Sequence, residues 1–123
     1  MLDGLFVKNI VILISGAGSN MAAIVKAAHQ EAWSKKWGVK VAAVISNKPQ
    51  ASGLTWLQEH PEFANIKTQT LDHTQFDSRE VFDQSLMAKI DEHDPDLVVL
   101  AGFMRILTPA FVAHYQGRLI NIH

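Results

Sequence analysis

The chain has 123 residues, 48% of them hydrophobic and 19% charged, which fits one globular domain or part of a larger one and leaves little room for disorder. Eleven basic against twelve acidic side chains, with no basic cluster, argue against nucleic acid as the main partner, because phosphate affinity needs concentrated Lys and Arg. The absence of cysteine excludes disulfides, thiolate nucleophiles, iron–sulfur clusters and the common structural zinc sites.

The first residues, Met1 to Lys8, carry an acid and lack the basic start and long apolar core of a signal peptide. Ile10–Ile14 is a solid β-branched run, suited to a strand buried on both faces and too short to cross a bilayer. A soluble cytoplasmic protein with no membrane partner is therefore expected. After Ser15-Gly-Ala-Gly18, the apolar residues Met21, Ile24, Val25, Ala28 and Ala32 mark one face of a helix, with Ser19 or Asn20 placed to cap it. Trp33 and Trp37, flanking Lys35 and Lys36, read as apolar anchors near its end.

Val39–Ile45 is a second strand, closed by Asn47-Lys-Pro49. A helix near Ser52–His60 and a short strand near Lys67–Leu71 follow. Asp77-Ser-Arg-Glu80 has the form of a capping box, and Phe82, Leu86 and Ile90 recur on one face of the helix it opens, which Asp94-Pro95 stops. Asp91 to Asp96, with four acids, reads as a solvated turn. Leu97–Ala101 is a third solid strand, Thr108-Pro109 opens a short helix ended by Gly117, and Leu119–His123 begins another strand. The alternation predicts an α/β fold: an open, mainly parallel, Rossmann-like sheet with helices on both faces. Because the sequence stops within an apolar strand, residues 1–123 are expected to be a single amino-terminal part of a truncated domain.

In such sheets, ligands bind outside the carboxyl ends of the strands, where four stretches qualify: Ser15–Asn20, Ser46–Pro49, Gly102–Leu107 and Asn121-Ile-His123. The turn Ser15–Asn20 has two glycines before a helix start, the arrangement that presents free N–H groups and a positive dipole end to a phosphate. Its other reading is a turn shaped for packing. It lacks the third glycine of a dinucleotide fingerprint, Met21 standing there, and no acid follows the second strand, only Ser46-Asn47. In Gly102-Phe-Met-Arg-Ile-Leu107, three large apolar side chains and Arg105 either wall a flat ligand or pack the sheet's end with the Arg solvated. Asn121 and His123, at i and i+2 of a strand, point to the same face while Ile122 points inward. An amide beside an imidazole suits acyl transfer, one stabilising an oxyanion and the other moving a proton. Arg79, in the first turn of its helix, reads as a surface residue within reach of a ligand, and the remaining histidines lack metal-ligand spacing.

Taken together, Ile14-Ser-Gly-Ala-Gly-Ser-Asn20, Phe76-Asp-Ser-Arg79, Leu100-Ala-Gly-Phe-Met-Arg-Ile-Leu107 and Gly117-Arg-Leu-Ile-Asn-Ile-His123 closely resemble the amino-terminal half of the glycinamide ribonucleotide formyltransferases, within the folate-dependent formyltransferase family. The resemblance implies transfer of a formyl group from 10-formyltetrahydrofolate to the amine of glycinamide ribonucleotide in purine synthesis, without a metal. It implies that Gly18, Ser19 and Asn20 hold the substrate phosphate. Arg79, Met104, Arg105, Ile106, Leu107 and Asn121 would contact the folate, and Asn121 and His123 would be catalytic. Relatives continue beyond this histidine to an Asp that pairs with it, so the 123-residue polypeptide alone is expected to be inactive or nearly so. An exposed last strand could also pair with a copy of itself as a homodimer. The alternatives are a non-catalytic phosphate-binding module of the same fold and another folate-dependent formyltransferase. A nicotinamide-dependent oxidoreductase is disfavoured by Met21 and Ser46-Asn47.

Overall fold

A computed structural model describes residues 7–122. Five strands, β1 (Lys8–Ile14), β2 (Val39–Ser46), β3 (Lys67–Thr70), β4 (Leu97–Ala101) and β5 (Leu119–Ile122), form one sheet in the order β3-β2-β1-β4-β5. Every pairing is parallel. The helices are α1 (Ser19–Gln30), α2 (Trp33–Trp37), α3 (Ser52–Gln58), α4 (Arg79–Asp91) and α5 (Pro109–His114). The expected α/β architecture is the one observed.

The sheet is covered on both faces, which explains the unbroken apolar strands. Met21 and Val25 of α1, Leu54 and Leu57 of α3, and Phe63 cover Ile10, Ile12, Ile14, Val44 and Val99. Phe82, Leu86 and Ile90 of α4, with Phe111 and Tyr115, cover Val11, Leu13, Ile45, Val98 and Leu100. Burying side chains of this size contributes about 1.5–3 kcal/mol each. Burial, then the hydrogen bond to Asp91, pushes the Tyr115 phenol well above its ordinary value.

Several local expectations are corrected. Helix α1 stops at Gln30, because Ala32 takes a left-handed conformation (φ 51°) and starts the separate turn α2. Trp33 packs on the core as expected, whereas Trp37 is 59% exposed. Helix α3 ends at Gln58, and the chain re-forms a 3-10 turn at Pro61–Phe63. The capping box at Asp77–Glu80 does not form. Ser78 is the N-cap, its Oγ accepting the Val81 N–H at 3.1 Å, which puts Val81 rather than Glu80 at the third helical position. The acidic run is not simply solvated either: Asp91 accepts from the Tyr115 hydroxyl at 2.8 Å, and Asp96 accepts from the Asn9 N–H at 2.8 Å.

His93, just beyond α4, is paired with Gln69 Oε1 of β3 at 2.9 Å. Burial, reinforced by Lys67 and Lys89 and opposed by Glu92, holds its pKa below the ordinary 6.5. The unfolded chain therefore takes up a proton that the folded chain resists. Stability is unaffected above that ordinary value and falls as pH drops through it toward the lower folded value. His93→Gln is expected to lose less thermal stability than wild type between about pH 7 and about pH 5.5. Parallel losses in the two proteins would contradict the assignment.

Candidate active site

Strand β1 is followed in space by β2 on one side and by β4 on the other. The chain order reverses at that point, so the loops leaving β1 and β4 diverge and open a crevice at the sheet's carboxyl end. The turn after β1 leads into α1 through Gly18, which is the N-cap and is left-handed (φ 67°). A side chain here would be strained and would meet Met21 Cε at 3.0 Å. This corrects the expected cap. Ser19 and Asn20 are the first two residues inside the helix, and no side chain caps it. The first-turn N–H groups thus lack an internal acceptor, the condition under which a helix start attracts an anion.

These groups open onto a cavity of about 300 Å³ lined by Ser15–Asn20, Lys48, Ala101, Gly102 and Met104. Gly18, Ser19 and Asn20 are thereby brought together with Met104. Lys48 belongs to the Ser46–Pro49 stretch expected at this rim, where the sequence assigned it no role. It follows β2 in a closing tripeptide with no motif, and its placement depends on Ser46. The buried Ser46 hydroxyl donates to Lys48 O at 2.9 Å and accepts from Lys48 N at 3.0 Å.

The loop after β4 resolves the two readings of its apolar residues. Phe103 and Leu107 pack against the second core, whereas Met104 and Ile106 stand 74% and 71% exposed. Arg105 is partly buried rather than freely solvated. Its guanidinium lies 4.7 Å from the centre of the Phe82 ring, and its buried Nε has no hydrogen-bond partner in the protein. Asp83, one residue along α4 and buried, accepts the Thr108 N–H at 2.7 Å through Oδ2. Thr108 caps α5 and its hydroxyl accepts the Phe111 N–H. The exposed pair is therefore presented by a loop fixed at its far end.

Asn121 is exposed on β5, in register with Leu100 of β4. Since β4 separates β5 from β1, the Met104–Leu107 loop leaves the sheet between the glycine turn and the strand bearing Asn121. Ile122 packs toward the first core, as expected. His123 lies outside the described residues. Arg79 is exposed as the first residue of α4 and does not line the glycine-turn cavity. Among the described residues, no group of three or more His, Asp or Glu gathers closely enough to hold a metal ion. No helix among them is long and apolar enough to cross a membrane.

Comparison with known proteins matches residues 8–123 to the family model described as "Formyl transferase". The chain belongs to the formyl transferase family. It is 54% identical over 115 residues to the phosphoribosylglycinamide formyltransferase of Escherichia coli strain K12, covering 94% of this chain and 50% of that protein. It is 36% identical over 114 residues to the human trifunctional purine biosynthetic protein adenosine-3, covering 93% of this chain and 10% of that protein. The solved phosphoribosylglycinamide formyltransferase of Brucella melitensis superposes with a TM-score of 0.82 at 38% identity, over 95% of this chain and 57% of that one. The chain thus spans about half the length of its single-function relatives.

The formyl transferase turn is also shaped from behind. Gly53 N donates to Gly16 O at 3.1 Å, and a Cβ at Gly53 would lie 2.7 Å from Ile14 Cδ1 and 2.9 Å from Ala17 O. The turn's own backbone would have to move. Gly53→Ala is expected to cost about 1–3 kcal/mol in denaturant unfolding and to shift the amide resonances of the turn. Gly16→Ala, whose Cβ meets nothing within 4 Å, should do much less. Equal effects of the two substitutions would refute the close-packing argument.

Proposed function

We propose that this chain is the phosphate- and folate-binding part of a phosphoribosylglycinamide formyltransferase, acting in the cytoplasm. That enzyme would move a formyl group from 10-formyltetrahydrofolate to the amine of glycinamide ribonucleotide in purine synthesis. The observation that carries the reading is the order along one rim: an uncapped helix start on β1's loop, exposed apolar side chains on β4's loop, and Asn121 on β5. The names of the relatives agree with it.

Gly18, Ser19 and Asn20 would hold the substrate phosphate through backbone N–H groups. Met104 and Ile106, two large apolar side chains kept in water, suit the flat ring system of a folate, and Leu107 backs them from the core. Arg105 would turn the outer nitrogens of its guanidinium to a folate carbonyl or carboxylate, and Arg79 would reach the same ligand from the start of α4. In the transfer, the amine nitrogen bonds to the formyl carbon and the bond from that carbon to the folate nitrogen breaks. Negative charge develops on the formyl oxygen, where the Asn121 side-chain amide would donate. Such a preorganised donor is worth about 2.7–4 kcal/mol in comparable sites. His123 would donate to the same oxygen when protonated and pass a proton to the leaving nitrogen, and the proton lost by the amine as the amide forms would restore it. Binding both substrates side by side supplies much of the remaining acceleration.

The phosphate assignment is tested by following amide resonances while glycinamide ribonucleotide is added. Wild type should shift at Gly18, Ser19 and Asn20. Ser19→Asp keeps or strengthens the helix start, by about 0.3–1 kcal/mol, while placing a like charge where the phosphate would sit. It should weaken binding by about tenfold or more. Undiminished affinity in that variant, or no response in wild type, would remove the phosphate site.

A further inference from the structure

The turn and the apolar loop are joined by a hydrogen-bonded chain that the roles above do not use. Ser15, 3% exposed, accepts the Met104 N–H on Oγ at 2.8 Å and donates to Asn47 Oδ1 at 2.6 Å. The direction is forced. A backbone N–H can only donate, so the serine oxygen accepts from Met104 and its single proton is left for Asn47. That places the Asn47 oxygen toward Ser15 and its Nδ2 toward His73 Nδ1, at 3.3 Å. Asn47, 1% exposed, is further held by its main chain: its N–H donates to Ile14 O, and its carbonyl accepts from His73 N.

We infer that Ser15 is a positioning residue that couples the two substrate loops, so that occupation of the anion turn is transmitted to the amide of Met104. This rests on the phosphate-and-folate reading of the site. Three features support it. Ser15 is the first residue of the turn and also lines the cavity. Met104, whose side chain is 74% exposed, has its backbone tied to the turn across 89 positions of sequence. Asn47 in turn fixes the serine proton in a nearly dry environment, where leaving a donor or acceptor unpaired is costly. An alanine at position 15 would keep the volume and remove both bonds.

The test is a titration of the ¹⁵N-labelled chain with ribose 5-phosphate, reading the amides of Ser19, Asn20 and Met104. In wild type the three should move together with one dissociation constant. In Ser15→Ala, Ser19 and Asn20 should still respond, while the Met104 response drops by about fivefold, the lower end of typical coupling between sites. Asn47→Ala, which keeps the serine but removes its acceptor, should give a smaller loss, and it carries the test by itself if Ser15→Ala fails to fold. Three outcomes would overturn the inference. If Met104 follows the ligand undiminished in the folded variant, or stays still in wild type while Ser19 and Asn20 move, the coupling is refuted and the phosphate site stands. If Ser19 and Asn20 do not move in wild type, the phosphate reading fails and the coupling with it.

Discussion

The structure depends on the complete burial of β1. Val11, Ile12, Leu13 and Ile14 expose no surface, so this strand must be covered by helices on both faces and hydrogen-bonded to a strand on each side. Its one exit toward the carboxyl end is Ser15-Gly-Ala-Gly18, squeezed between Gly53 of α3 and the loop from β4. The chain reaches β2 and β3 on one side of β1 and then crosses back to β4 on the other. That reversal leaves the crevice open where the turn emerges. Burying the central strand and creating the site are one event in the topology.

Side chains that are buried and polar then decide how the crevice is held. Ser15, Ser46, Asn47, Asp83 and Thr108 are the buried polar residues among those described, and each makes a bond that fixes a loop leaving the sheet. Ser15 and Asn47 hold the turn to Met104, Ser46 holds the backbone of Lys48, and Asp83 with Thr108 holds the far end of the apolar loop. In an apolar interior such groups are tolerated only when paired, so their partners are specified as strictly as those of core side chains. Of the three buried polar atoms without a partner among the described residues, Arg105 Nε and Asp83 Oδ1 lie on the apolar loop and on the helix that loop packs against, and the third is Asn9 Oδ1.

Much of this was legible in the chain itself. Solid β-branched runs predicted the parallel sheet, because a strand covered on both faces has no polar side to show. Thr108-Pro109 predicted a helix start, because both residues act within one turn. The failures at the caps of α1 and α4 were local competitions. Gly18 displaced Ser19 as the cap because the turn needed a left-handed residue there, and Ser78 displaced Asp77 by one position, which removed the acid from the capping box. The packing of Arg105 on Phe82 was not legible, because Phe82 lies on another element and no sequence pattern pairs an arginine with a distant ring.

The Ser15–Asn47 link was illegible for a deeper reason. Asn47 was weighed as the position where a dinucleotide site would carry an acid, and its neutrality counted only against that reading. In the folded protein the neutral amide is what the position requires. Its side-chain oxygen accepts the Ser15 proton at 2.6 Å, while its Nδ2 and its main-chain oxygen both face His73 Nδ1, at 3.3 and 3.1 Å. A charged acid at 1% exposure would also carry a large desolvation cost. The same residue that argues against a ribose-hydroxyl acceptor therefore supplies the crosslink between loops. Two loops that leave neighbouring strands at one rim are thereby registered to one another, and a buried neutral donor–acceptor pair achieves that without adding charge at the glycine turn.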